Sequence, residues 1–125
     1  MRKSNLGAIY LQLNKNQESL RNYTQALKIY SQCGCDSMDL SNTYHNVGNI
    51  YMREKMYQIA SKYFQMSIEE RKSKSPEAEL PLFYSAFKLG VSQKFEQKYQ
   101  ESIQTLLYAL SFAERGVGDI VEVYK

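Results

Sequence analysis

The chain has no tryptophan, two prolines, two cysteines and a single histidine among 125 residues. It also lacks any apolar run near the 18 or more residues of a membrane span. Met1-Arg2-Lys3 is followed by Ser4-Asn5 rather than by the apolar stretch of a signal peptide. Each shortage removes a class of protein. At 43% hydrophobic residues the chain is too apolar for disorder, and its 23% charged residues interrupt it too often for a membrane protein. Nothing directs it out of the cytosol, so a soluble, cytoplasmic protein without membrane contact is expected. The cysteines stand at Cys33-Gly34-Cys35, a spacing that strains a disulfide, and they are read as reduced thiols. The net charge is only +3, with Lys and Arg interleaved among Asp and Glu, which gives weak grounds for nucleic-acid binding. One histidine, His45, supplies no base beside a Ser or Cys nucleophile, and Cys33, Cys35 and His45 make a poor zinc set without a fourth ligand. Neither catalysis nor a metal or cofactor is expected. The length suits one domain, 1–125, able to remove about two-thirds of the unfolded chain's surface from water.

What the chain does have is an internal repeat. The segments NLGAIYLQLNKNQESLRNYTQALKIY from Asn5, NVGNIYMREKMYQIASKYFQMSIEER from Asn46 and KLGVSQKFEQKYQESIQTLLYALSFA from Lys88 align without gaps. Gly7, Gly48 and Gly90 coincide; so do Leu6, Val47 and Leu89, then Ser19, Ala60 and Ser102, then Tyr23, Phe64 and Leu106, then Ala26, Ser67 and Ala109. Apolar residues recur three or four apart in each half of a copy, as in Tyr44, Val47, Ile50 and Tyr51, then Ile59, Tyr63 and Met66, so each copy reads as two helices. The small residues let the two helix backbones approach while aromatics fill the space around them. Tyr57 and Tyr99 fall just before the second helix, where an aromatic packs beneath the turn with its hydroxyl wet. Most other tyrosines, including Tyr10, Tyr23, Tyr51 and Tyr63, occupy helix-packing positions, so the tyrosine content is core rather than a base-stacking platform.

These residues resemble the tetratricopeptide repeat, whose pattern has a Leu-Gly pair, a Tyr three residues after the Gly, and small residues in the second helix. The second copy fits best, through Tyr44, Val47, Gly48, Tyr51, Tyr57, Ala60, Phe64 and Ser67. Asn16 and Gln93 replace a Tyr of the pattern, which should loosen those joints. The resemblance implies an all-α, right-handed solenoid of three antiparallel helix pairs plus the start of a fourth. With the period read from the glycines, the repeats run over about 2–35, 37–74 and 76–116, with a partial helix over 119–125. The period of 41 or 42 exceeds the usual value of about 34, and the extra residues lie at CGCDSMDLSN and KSKSPEAELPLF. Both contain helix starts, Ser37 or Asp36 in one and Ser75-Pro76-Glu77 in the other, so the first helix of a repeat is expected to be lengthened. Repeats of this length are similar to those of kinesin light chains. The first copy, close behind Met1, lacks that lengthened start. The apolar segment Ile120–Tyr124 suits stacking on another copy of the chain, on missing repeats, or back onto the third pair.

The resemblance places function on the concave face, lined by the first helix of each pair, and implies a protein or peptide partner. The face-lining residues are Asn5, His45, Asn46, Asn49, Arg53, Lys88, Val91 and Lys94. Asn46 and Asn49 share a helical face, and their amides both donate and accept, which suits an extended peptide. Arg53, Lys88 and Lys94 suit an acidic one. Tetratricopeptide domains that clasp a chaperone's terminal carboxylate need five polar residues, of which Asn46 and Lys88 are present while Ser4, Ala8 and Tyr84 occupy the places of the other three. That clamp is therefore incomplete. The residues Gly7, Gly48, Gly90, Ser19, Ala60, Ser102, Ala26, Ser67 and Ala109 are assigned to packing between helices.

Overall fold

The computed structural model of the protein describes residues 16–33 and 37–116. Within them are five helices and no strand: α1 (Asn16–Cys33), α2 (Ser37–Arg53), α3 (Tyr57–Lys74), α4 (Glu79–Phe95) and α5 (Tyr99–Glu114). Gly7, Asn5, the partial fourth helix and the Ile120–Tyr124 segment lie outside the described residues. The described part is an all-α repeat array in which α2 packs with α3, α4 with α5, α3 with α4, and α1 with α2. The second pair reproduces the first 42 residues later, from Ser37 to Glu79, Arg53 to Phe95 and Tyr57 to Tyr99.

The turns repeat as closely as the helices. Lys55 and Gln97 both take the left-handed backbone conformation, with φ of 61° and 66°. After each of them the next N–H reaches back over the helix end: Met56 N–H donates to Tyr51 O at 2.9 Å, and Lys98 N–H donates to Gln93 O at 2.9 Å. Glycine is the usual occupant of that position because it lacks a Cβ. Here two long polar side chains hold it, at some cost in backbone strain.

The glycines of the repeat sit where a side chain would collide with the facing helix. A Cβ on Gly48 would lie 2.8 Å from the Phe64 ring, and one on Gly90 would lie 2.5 Å from Leu106. Ser19, Ala26, Ala60, Ser67, Ser102 and Ala109 are all buried. The core runs through Ala60, Phe64, Ile68, Leu82, Phe83, Ala86, Leu89, Ala109, Phe112 and Ala113. A smaller cluster of Tyr23, Val47 and Ile50 joins α1 to α2.

Three expectations are corrected. Ser75-Pro76-Glu77 does not open α4; Ser75 instead ends α3, its N–H bonding Arg71 O, and Ala78 N–H closes a turn on Ser75 O at 3.0 Å. α4 begins at Glu79, and Pro81 falls in its first turn, where a missing N–H costs nothing. Consequently neither pair has a markedly lengthened first helix: α2 has 17 residues against 18 in α3, and α4 has 17 against 16 in α5. The extra length at that joint goes into a turn. Finally, Cys33 is disulfide-bonded rather than reduced. The sequence has one other cysteine, Cys35, which lies outside the described residues.

Candidate functional site

α2 and α4, the first helices of successive pairs, lie side by side and are joined by a hydrogen bond between His45 Nδ1 and Ser85 Oγ, 2.9 Å apart. Two depressions open between them. One, of about 340 Å³, is lined by Asn49, Met52, Arg53 and Lys88. The other, of about 250 Å³, is lined by Asn42, His45, Leu80, Pro81, Tyr84 and Ser85, with Arg71 reaching in from α3. The first volume falls at the low end of the roughly 300–1,000 Å³ of a small-molecule pocket and the second falls below it.

Beneath the second depression runs a polar seam. Ser67 Oγ donates to Ser41 O at 2.8 Å, and Ser41 Oγ donates to Ser67 O at 3.0 Å, tying α2 to α3. Ser67 Oγ also lies 3.3 Å from Ser85 Oγ, which connects the seam through Ser85 to His45. The His45 ring packs edge-on against Phe64, with centroids 5.3 Å apart. Burial, reinforced by the positive charges of Lys88 and Arg71, pushes the imidazole down to about 4, so at neutral pH it is an uncharged member of the seam. Arg71, only 3% exposed, donates from Nη2 to Asn42 Oδ1 at 2.6 Å.

The residues expected to line the groove are placed unequally. Asn49, Arg53 and Lys88 surround the larger depression, and His45 lies in the wall of the smaller one. Asn46 instead stands beside the buried hydroxyl of Tyr23 on α1, whose pKa desolvation pushes up to about 12 while Asn46 partly offsets it. Val91 is half-buried and Lys94 exposed, and neither lines these two depressions. Sequence reasoning missed Asn42, Met52, Arg71, Leu80, Pro81 and Ser85. One signal was available: the packed stripe Ala60, Phe64, Ser67 continues at helical spacing onto Arg71, and a core stripe that ends on a charge marks a place where the charge has work to do.

The fold and its groove define a helical-repeat protein of the kind that contacts other proteins. A family model for the tetratricopeptide repeat matches residues 2–73, more than half of the chain, and the chain belongs to that family. No curated protein matches the chain. None of the described helices is long and apolar enough to cross a membrane.

Proposed function

We propose that the chain is a non-enzymatic adaptor that holds a short segment of a partner protein in the groove between α2 and α4. The observation that carries this reading is the pair of depressions between the first helices of successive pairs, one edged by Arg53 and Lys88 and the other walled by Leu80, Pro81 and Tyr84. Asn49 offers an amide to an extended backbone, Arg53 and Lys88 favour an acidic segment, and His45, Asn46, Val91, Lys94 and Asn5 complete the proposed face. Its partner is a protein, not a nucleic acid, and its setting is the cytoplasm. The 42-residue spacing of the helix pairs supports a likeness to the lengthened repeats of kinesin light chains. The test is affinity capture from cell extract with the wild-type chain beside Asn49→Ala/Lys88→Ala, two half-buried or exposed sites whose replacement leaves the core intact. Partners lost with the double variant support the groove; an unchanged set of partners rejects it.

A second reading, a structural segment that stacks on other copies or repeats, is favoured by the last described helix. Tyr99, Ile103 and Leu107 of α5 are large apolar side chains left in water.

A further inference from the structure

A further depression, of about 230 Å³, opens between the second helices of successive pairs, α3 and α5. The buried Ile68 and Leu89 floor it, and Lys72, Thr105 and Tyr108 stand around them. One repeat earlier the same place is full. The counterparts of Ile68, Leu89 and Thr105 are Leu27, Val47 and Tyr63, and there Leu27 and Tyr63 both pack against the cluster of Tyr23, Val47 and Ile50. Tyr63 also stacks on Tyr51, with ring centroids 5.8 Å apart and an interplanar angle of 8°. In the second pair Thr105 brings no ring, and its hydroxyl turns back to donate to Glu101 O at 2.9 Å on its own helix. Gln93 holds the place of Tyr51. Its Oε1 is buried and has no hydrogen-bond partner among the described residues, a costly state for an amide oxygen. The joint that lacks a ring is thus also the joint that holds a spare acceptor.

We propose that this depression seats a tyrosine side chain of a partner protein, in the place that Tyr63 fills in the first pair. The ring lies on Ile68 and Leu89 and against Gln93, as Tyr63 lies against Tyr51. A tyrosine that enters from outside leads with its hydroxyl, and a phenol taken out of water there needs an acceptor. Gln93 Oε1 supplies it and gains the donor that it lacks. Phenylalanine would fill the space and leave that oxygen unmet. At about 230 Å³ the depression lies below the roughly 300 Å³ at which small-molecule pockets begin, so it has room for one side chain rather than for a larger ligand. Its walls are α3 and α5, which makes the seat independent of the groove between α2 and α4.

NMR of the full chain, read at the methyl groups of Ile68 and Leu89, tests this with the capped tripeptides Gly-Tyr-Gly, Gly-Phe-Gly and Gly-Ala-Gly. They are titrated to about 10 mM, because one seated side chain supports only millimolar affinity. The compound p-cresol, the tyrosine side chain alone, runs beside them. The tyrosine peptide should shift both sets of methyl signals saturably. The phenylalanine peptide should bind roughly threefold to tenfold more weakly for want of the hydrogen bond, and the alanine peptide should leave the signals unmoved. Thr105→Tyr, which refills the depression from within, should abolish the response. In Gln93→Leu, which removes the acceptor and keeps an apolar filling, the tyrosine and phenylalanine peptides should bind equally; this variant carries the test should the first fail to fold. No saturable shift with the tyrosine peptide, an equal response to the alanine peptide, a response that survives Thr105→Tyr, or a tyrosine preference that survives Gln93→Leu each overturns the seat. Binding of p-cresol without binding of the tyrosine peptide marks a site for free phenols and overturns the protein partner.

Discussion

The two helix pairs share a backbone but not an interior. In α2 and α3 the seam is Ser41 against Ser67, held by hydrogen bonds; 42 residues later the same two places in α4 and α5 hold Phe83 and Ala109, both buried. His45 of the first pair becomes Phe87 in the second, set edge-on to Phe83 at 6.2 Å. Ala60 becomes Ser102, whose hydroxyl donates to Gly90 O at 2.8 Å. One geometry is thus reached by two routes, small polar side chains that bond across the gap and a large aromatic that fills it. The difference teaches where function can sit. The polar pair connects outward, through Ser85 and His45, to the depression between α2 and α4; the aromatic pair seals itself.

The sharpest way to break the symmetry is at the glycines. A Cβ on Gly48 meets the buried, flat ring of Phe64, whereas one on Gly90 meets the branched end of the half-buried Leu106. Gly48→Leu is expected to unfold the first pair. Gly48→Ala should cost about 1–3 kcal/mol through overpacking. In Gly90→Ala the rotation of Leu106 and a helix-propensity gain of about 1 kcal/mol should leave stability nearly unchanged. Chemical denaturation of the three variants measures this, and equal losses for the two alanine variants would show that the facing side chain does not decide the cost.

Next in size is pH. The folded pKa of His45, about 4, lies below the usual 6.5, so the unfolded chain binds the extra proton between those values. Stability contributed by the neutral imidazole is complete above about pH 6.5 and is lost progressively as pH falls toward 4, a difference on the order of 2–3 kcal/mol. His45→Gln, which keeps hydrogen-bonding capacity without titrating, should flatten the stability profile over pH 6.5 to 4 relative to wild type. Parallel profiles would place the acid sensitivity elsewhere. Phe87 gives the second pair no such dependence.

The smallest effect belongs to what the pairs have in common. Lys55→Gly and Gln97→Gly each relieve a left-handed backbone, and each should stabilise by up to about 1 kcal/mol, less the entropy that glycine adds to the unfolded chain. Two equal gains in thermal unfolding would confirm that the turns, unlike the interiors, are true copies.

Much of the fold was legible in the residues. The glycine spacing located both helix pairs and the residues where they touch, because close approach tolerates so few side chains that the pattern must recur. The start of α4 was not legible, since Ser75 can cap a helix end as readily as a helix start and only the geometry of α3 chose between them. Of the residues that the resemblance assigned to the groove, Asn49, Arg53 and Lys88 edge the larger depression, and the turn of Asn46 toward Tyr23 was not legible, because that depends on how α1 leans on α2.

Taken by itself, then, the sequence determined an all-helical repeat, its period and its contact residues, for these follow from local spacing and side-chain size. Only the tertiary structure decided that Arg71 crosses from α3 into the groove, that four polar side chains join into one seam, and that Tyr99, Ile103 and Leu107 are left in water. Those outcomes depend on which helix faces which, and residues 26 or 40 positions apart carry no local mark of their meeting.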